Sequence, residues 1–157
     1  MSKNINQVYI ANPATSLQST DLFYLGRSPY GLTDDMACLF STILAAIPGA
    51  TWNNVTGTSA SMAVNNGYIA NNAGLVTLTL PVTASVGRTI EVAGNGAGGW
   101  SIAQNAGQSI NYGIVSTTVG VGGSLASTQR YNAVKLVCVV ANTTWNVVSS
   151  QGNLNAV

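Results

Sequence analysis

From Pro48-Gly49 onward the sequence consists of short runs with apolar residues at alternate positions, cut at close intervals by turn-forming residues. This pattern constrains the chain more than any other feature. Alternation puts every second side chain on the same face of an extended strand, and strands this short bury a core only in packed sheets. Leu75-Val-Thr-Leu-Thr-Leu80 is the clearest such run, and Pro81 ends it. Ser61-Met-Ala-Val64 and Tyr68-Ile-Ala70 flank Asn66-Gly67, a dipeptide suited to the positive φ angles of a two-residue hairpin turn. Arg88–Val92 and Trp100–Gln104 read as strands around a glycine-rich hairpin loop. Residues 133–140 and 144–149 read as a closing hairpin. The continuous apolar run of 133–140 predicts a central strand buried on both faces. The expected domain, residues 50–157, is mainly β: an antiparallel sandwich or barrel, jelly-roll-like.

Residues 1–49 have a different character. Residues 1–32 read as an extended arm, with a short strand at Val8-Tyr9-Ile10 and turns at Asn12-Pro13 and Ser28-Pro29. Residues 33–47 are the one helix candidate. Thr33 is a suitable N-cap, Asp34 and Asp35 favour the positive end of the helix dipole, and Met36, Leu39, Phe40, Ile43 and Ile47 form a stripe that Pro48 ends. The cluster Leu22-Phe23-Tyr24-Leu25 requires burial. The expected role of this region is assembly, with Phe23, Tyr24, Phe40 and Ile43 as contact residues.

Composition bears on the surface. Only 6% of the 157 residues are charged, against roughly 25% in ordinary soluble domains. No acid follows Glu91, and the net charge is +1, so no strong field exists to hold nucleic acid or an anionic membrane. Asn, Ser and Thr take the place of charge, and 46% of residues are hydrophobic, enough to fold. Net charge normally opposes association, so the composition suits a subunit that packs against copies of itself. The N-terminus lacks the apolar core of a signal peptide and no run of 18 apolar residues occurs. The expectation is synthesis in the cytoplasm without a signal peptide and no membrane insertion.

Chemistry has little to work with. There is no His, and general acid–base catalysis normally draws on His or tuned carboxylates. Asp34 and Asp35 are accounted for by capping, and Glu91 and Arg88 are expected to find partners on other strands. Cys38 and Cys138 belong to no CxxC pair and read as two buried thiols, with a disulfide between them left open. The expectation is no catalysis, no metal and no cofactor. Gly94-Asn-Gly96-Ala-Gly98-Gly99 contains GxGxxG, but the following residues alternate and no acid lies downstream for a ribose, so a hairpin loop is expected rather than a dinucleotide site. Trp100, beside this loop, reads first as core and second as a candidate for stacking on a ligand; Asn95, Gln104 and Asn105 are either its neutral hydrogen-bonding partners or ordinary turn and edge residues. Trp52 and Trp145 read as core.

Thr20-Asp-Leu-Phe-Tyr-Leu-Gly-Arg-Ser-Pro-Tyr30, followed by Thr33-Asp-Asp35, is similar to the short N-terminal segments of bacteriophage tail-fibre-like proteins. Tyr68-Ile-Ala-Asn-Asn72, Leu78-Thr-Leu-Pro81, Gly98-Gly-Trp-Ser-Ile-Ala-Gln-Asn-Ala106, Thr144-Trp145 and Ser150-Gln-Gly-Asn153 resemble C-terminal β domains of phage fibre or tip proteins. The resemblance implies a virion structural protein forming a homo-oligomer, a trimer favoured, with other virion proteins or a host-surface glycan as further partners. The chain has no heptad or Gly-x-y shaft, so a tip, a surface decoration and a filament subunit assembled by arm exchange all remain open beside a fibre. A monomeric carbohydrate-binding module is the alternative outside this class.

Overall fold

The computed structural model describes Leu22–Leu25, Met36–Leu39 and residues 51–157. The chain divides into two units, Met1–Ile47 and Pro48–Val157. In the first, β1 (Leu22–Leu25) pairs antiparallel with β2 (Met36–Leu39), Phe23 opposite Cys38 and Tyr24 opposite Ala37. This corrects the expected helix over 33–47 in its described part. Met36-Ala-Cys-Leu39 is apolar at every position, so it satisfies a helical stripe and a strand equally. The apolar segment Leu22–Leu25 supplies a ladder for its backbone, and that pairing decides between the two. The other positions of the expected helix, and the rest of the expected arm, lie outside the described residues.

In the second unit the chain passes back and forth between two sheets. β3 (Thr51–Val55), β5 (Asn66–Ala70) and β7 (Thr89–Gly94) lie in one sheet; β4 (Ser59–Ser61), β6 (Val76–Thr79) and β8 (Trp100–Ala103) lie in the other. Because each strand is followed by one in the opposite sheet, β3, β5 and β7 pair in parallel, as do β4, β6 and β8. The remainder adds strands to both sheets: β9 (Ser109–Tyr112), β10 (Val115–Ser116), β11 (Ser124–Ser127), β12 (Ala133–Val140), β13 (Thr144–Gln151) and β14 (Leu154–Ala156). The result is a seven-stranded sheet ordered β10-β9-β13-β12-β7-β5-β3 against a five-stranded sheet ordered β14-β11-β8-β6-β4. The architecture is a β sandwich with mixed sheets. In this unit the antiparallel pairs are confined to those made by β10, β11, β12 and β14.

Burial follows the alternation in the sequence. Val76 and Leu78 of β6, and Val134, Leu136 and Cys138 of β12, point inward, and the residues between them are partly exposed. Trp100, Ile102 and Leu125 meet Trp145, Ile90 and Ile110 in one core. The expectation that 133–140 is buried on both faces is corrected. β12 is central in its sheet, yet Val139 and Val140 are exposed. One covered face is all that a two-layer sandwich provides.

Two expected hairpins are corners between sheets instead. Asn66-Gly67 opens β5, and the turn before it places Asn65 at φ +60. Asn65 reaches across to the next circuit, donating from its N to Thr89 O at 2.6 Å and accepting at Oδ1 from Thr89 N at 3.3 Å. The glycine-rich segment 94–99 carries the chain from β7 to β8. Its corner stacks on the preceding one: Gly96 N donates to Ala70 O at 2.8 Å, Gly98 N to Asn72 O at 3.1 Å, and Asn95 Nδ2 to Asn71 Oδ1 at 3.0 Å. A Cβ on Gly96 would collide with the Asn72 backbone, and one on Gly98 with the Gly74–Leu75 backbone.

The stacking predicts a specific cost. Gly96→Ala is expected to lower unfolding free energy by at least about 2 kcal/mol, since backbone cannot yield as a side chain does. Gly57→Ala, where a Cβ meets only Ser59 O at 4.0 Å, should stay within about 0.5 kcal/mol of the parent. Urea unfolding of the two variants checks this.

Candidate functional site

The expected ligand-binding set does not form a site. Trp100 is fully buried, and its Nε1 donates to Asn132 O at 2.8 Å. Neither face of its indole is open to a ligand, which agrees with its reading as core and corrects the alternative as a stacking residue. Gln104 is 3% exposed; its Nε2 donates to Gln108 O at 2.7 Å and Thr118 O at 2.9 Å, and its Oε1 accepts from the Thr117 hydroxyl. Asn105 Nδ2 donates to Leu80 O at 2.6 Å and to Gln108 Oε1 at 3.0 Å. Gln108 Nε2 in turn donates to Pro81 O at 2.9 Å and Asn142 O at 3.0 Å. These amides satisfy backbone groups that the corners strip of ladder partners. Asn95 is exposed, but its side chain belongs to the corner stack. Phe23 and Tyr24 lie on β1, and Phe40 and Ile43 fall outside the described residues.

Cys138 is a buried free thiol whose Sγ lies 3.3 Å from Val140 O. Among the described residues, no group of three or more His, Cys, Asp and Glu comes together.

Two surface features remain. The first is on the outer face of the seven-stranded sheet. Trp52, Gly67, Glu91, Lys135 and Ser149 form one row, each opposite the next across β3, β5, β7, β12 and β13. Trp52 was expected in the core, but it is 49% exposed. Val55 faces inward, so Trp52, an odd number of residues away on the same strand, faces out. Its indole lies over Gly67, where a Cβ would meet ring atoms Cδ2, Cε2 and Cε3. Lys135 Nζ is 2.8 Å from Glu91 Oε1, both side chains about two-fifths exposed. This meets the expectation of a cross-strand partner for Glu91. In the next row Ala93 opposes Ala133, and Ala133 opposes Gln151. Between Trp52 and Ser149–Gln151 these small residues floor a shallow trough of about 310 Å³.

The second feature is one end of the sandwich. The corners 80–88, 104–108 and 117–123 and the turn 140–143 meet there. Asn142 N donates to Ala84 O at 2.9 Å, Gly120 N to Gln108 O at 2.8 Å and Thr118 N to Val157 O at 2.9 Å. Val82, Val86, Val119, Val121 and Val140 are all exposed on these segments. The opposite end, formed by 56–58, 71–75, 94–99, 128–132 and 152–153, is mostly Asn, Thr and Gly and exposes only Leu75 and Tyr131 among large apolar residues of the described chain.

No protein-family model matches this sequence, and no curated protein matches it.

The two buried tryptophans should respond differently to the same change. Trp145 Nε1 has no hydrogen-bond partner among the described residues, whereas Trp100 Nε1 has one. Both Trp→Phe changes leave a cavity, but only Trp100→Phe also loses a bond. Trp100→Phe is therefore expected to be the more destabilising by about 1 kcal/mol in chemical denaturation.

Proposed function

We propose that this chain is a non-catalytic structural protein of a phage-like particle, a fibre or tip component or a surface decoration, that assembles from copies of itself. The valine-bearing end of the sandwich is the observation that carries this reading. Large exposed apolar patches are uncommon on monomeric proteins and mark sites of association. Here five valines project from hydrogen-bonded corners at one end, and the only charged residue on those corners is Arg88. Little charge repulsion opposes the approach of a second copy. The amide-locked corners support a scaffolding role, since they hold the end rigid without using its outward side chains. A closed homo-oligomer, a trimer favoured, would bury the valines and display the sheet faces.

A second reading, a helical filament built by arm exchange, draws on the outermost strands. β3 and β4 end their sheets, and an extended segment from a neighbour can add to such an edge.

Light scattering on the full chain separates the outcomes. A single mass that is a small multiple of the chain's, unchanged between about 0.05 and 1 M salt because screening acts on charges the surface lacks, is the expected result. Val82→Glu combined with Val121→Glu should reduce that mass to the monomer's. A monomeric parent overturns the assembly reading. An assembly that ignores both substitutions overturns the valine end as its interface, and an open-ended size distribution favours the filament.

A further inference from the structure

We infer that the trough on the outer face of the seven-stranded sheet binds neutral saccharides, with a sugar ring against the Trp52 indole and its hydroxyls on the Glu91–Lys135 pair. The inference does not depend on assembly.

Three observations converge on this chemistry. Trp52 is held flat against the backbone of Gly67, the one position in its row with no side chain. A rigid indole with an exposed surface is suited to the apolar C–H face of a pyranose, and it loses little conformational freedom on binding. Next in the row stand a carboxylate and an ammonium, 2.8 Å apart and partly exposed. Side by side they present an acceptor and a donor. A hydroxyl is both donor and acceptor, so two neighbouring hydroxyls on one sugar can bond to the pair together. The far wall, Ser149–Gln151, adds neutral hydroxyl and amide groups, and the Ala93–Ala133 floor keeps the space clear.

Other ligand classes fit less well. Nucleic acid needs several cations for its phosphates, and the one Lys here already faces a carboxylate. An apolar side chain would find no depth on a floor of two alanines. A free cation would compete with Lys135 for Glu91. A neutral, hydroxyl-rich ring matches the paired charges without disturbing their balance. Because the trough is shallow, dissociation constants should fall in the roughly 0.1–10 mM range.

The test uses the full chain labelled with 5-fluorotryptophan, which places one ¹⁹F signal on each of its three tryptophans. Trp52→Phe identifies the Trp52 signal by its loss. The probes are maltotriose, cellotriose and triacetylchitotriose, each to about 20 mM, with 3′-sialyllactose as a charged comparison. The expected result is a saturable shift of the Trp52 signal with at least one neutral trisaccharide, while the buried Trp100 and Trp145 signals stay in place. Calorimetry should then show binding at least tenfold weaker in Trp52→Ala and in the Glu91→Ala/Lys135→Ala double variant. Three outcomes each overturn the proposal: no neutral probe shifts Trp52, only the charged probe does, or Trp52→Ala binds as the parent does. The titration of the unsubstituted chain decides even if a variant fails to fold.

Discussion

The sandwich depends on backbone packing directly against backbone where the chain crosses from one sheet to the other. Successive circuits must turn at the same place for β3, β5 and β7 to lie in register, and for β4, β6 and β8 to do the same. At the glycine-rich corners, residues 94–99 sit on 71–75 so closely that the Cα hydrogens of Gly96 and Gly98 occupy the only space there is. The amide groups of Asn95, Gly96 and Gly98, freed by the turn, find partners in the corner below, which offsets their loss from the ladder. At the other end Gln104, Asn105 and Gln108 join the corners with side-chain amides.

This arrangement separates scaffold from surface. The polar residues that look most available for recognition are spent on the corners, and the aromatic residue beside them closes the core. What remains for partners is what the scaffold does not use: the valines that point away from the corner network, and the outward row from Trp52 to Ser149. The absence of a Cβ matters to scaffold and surface alike, under neighbouring backbone at Gly96 and under an indole at Gly67.

Strand positions were legible in the sequence to a useful degree. Leu75–Leu80, 133–140 and 144–149 all fall on strands, and the turn between the last two is a true hairpin. The pairing of neighbours was not legible at 61–70 or 88–104. A strand with one covered face alternates in the same way whether its neighbour runs parallel or antiparallel, and Asn-Gly serves a corner as readily as a hairpin. Residues 36–39 failed for a related reason, because four consecutive apolar residues carry no period. The candidate site was misplaced because Trp100 follows a glycine run in the sequence, whereas the glycine beneath Trp52 is its neighbour only across strands. Only the parity of Trp52 against Val55 hinted that one faced out, and that parity acquires meaning once the inward face is known.

The sequence by itself determined that residues 50–157 form packed β layers with an almost uncharged surface, because alternation and composition are local properties. Only the tertiary structure decided which strands are neighbours, which end gathers the valines, and that Trp52, Glu91 and Lys135 share a row. Those relations join residues from β3, β7 and β12, far apart in the chain. They exist because each circuit returns to the same corner, a closure that no local window of sequence contains.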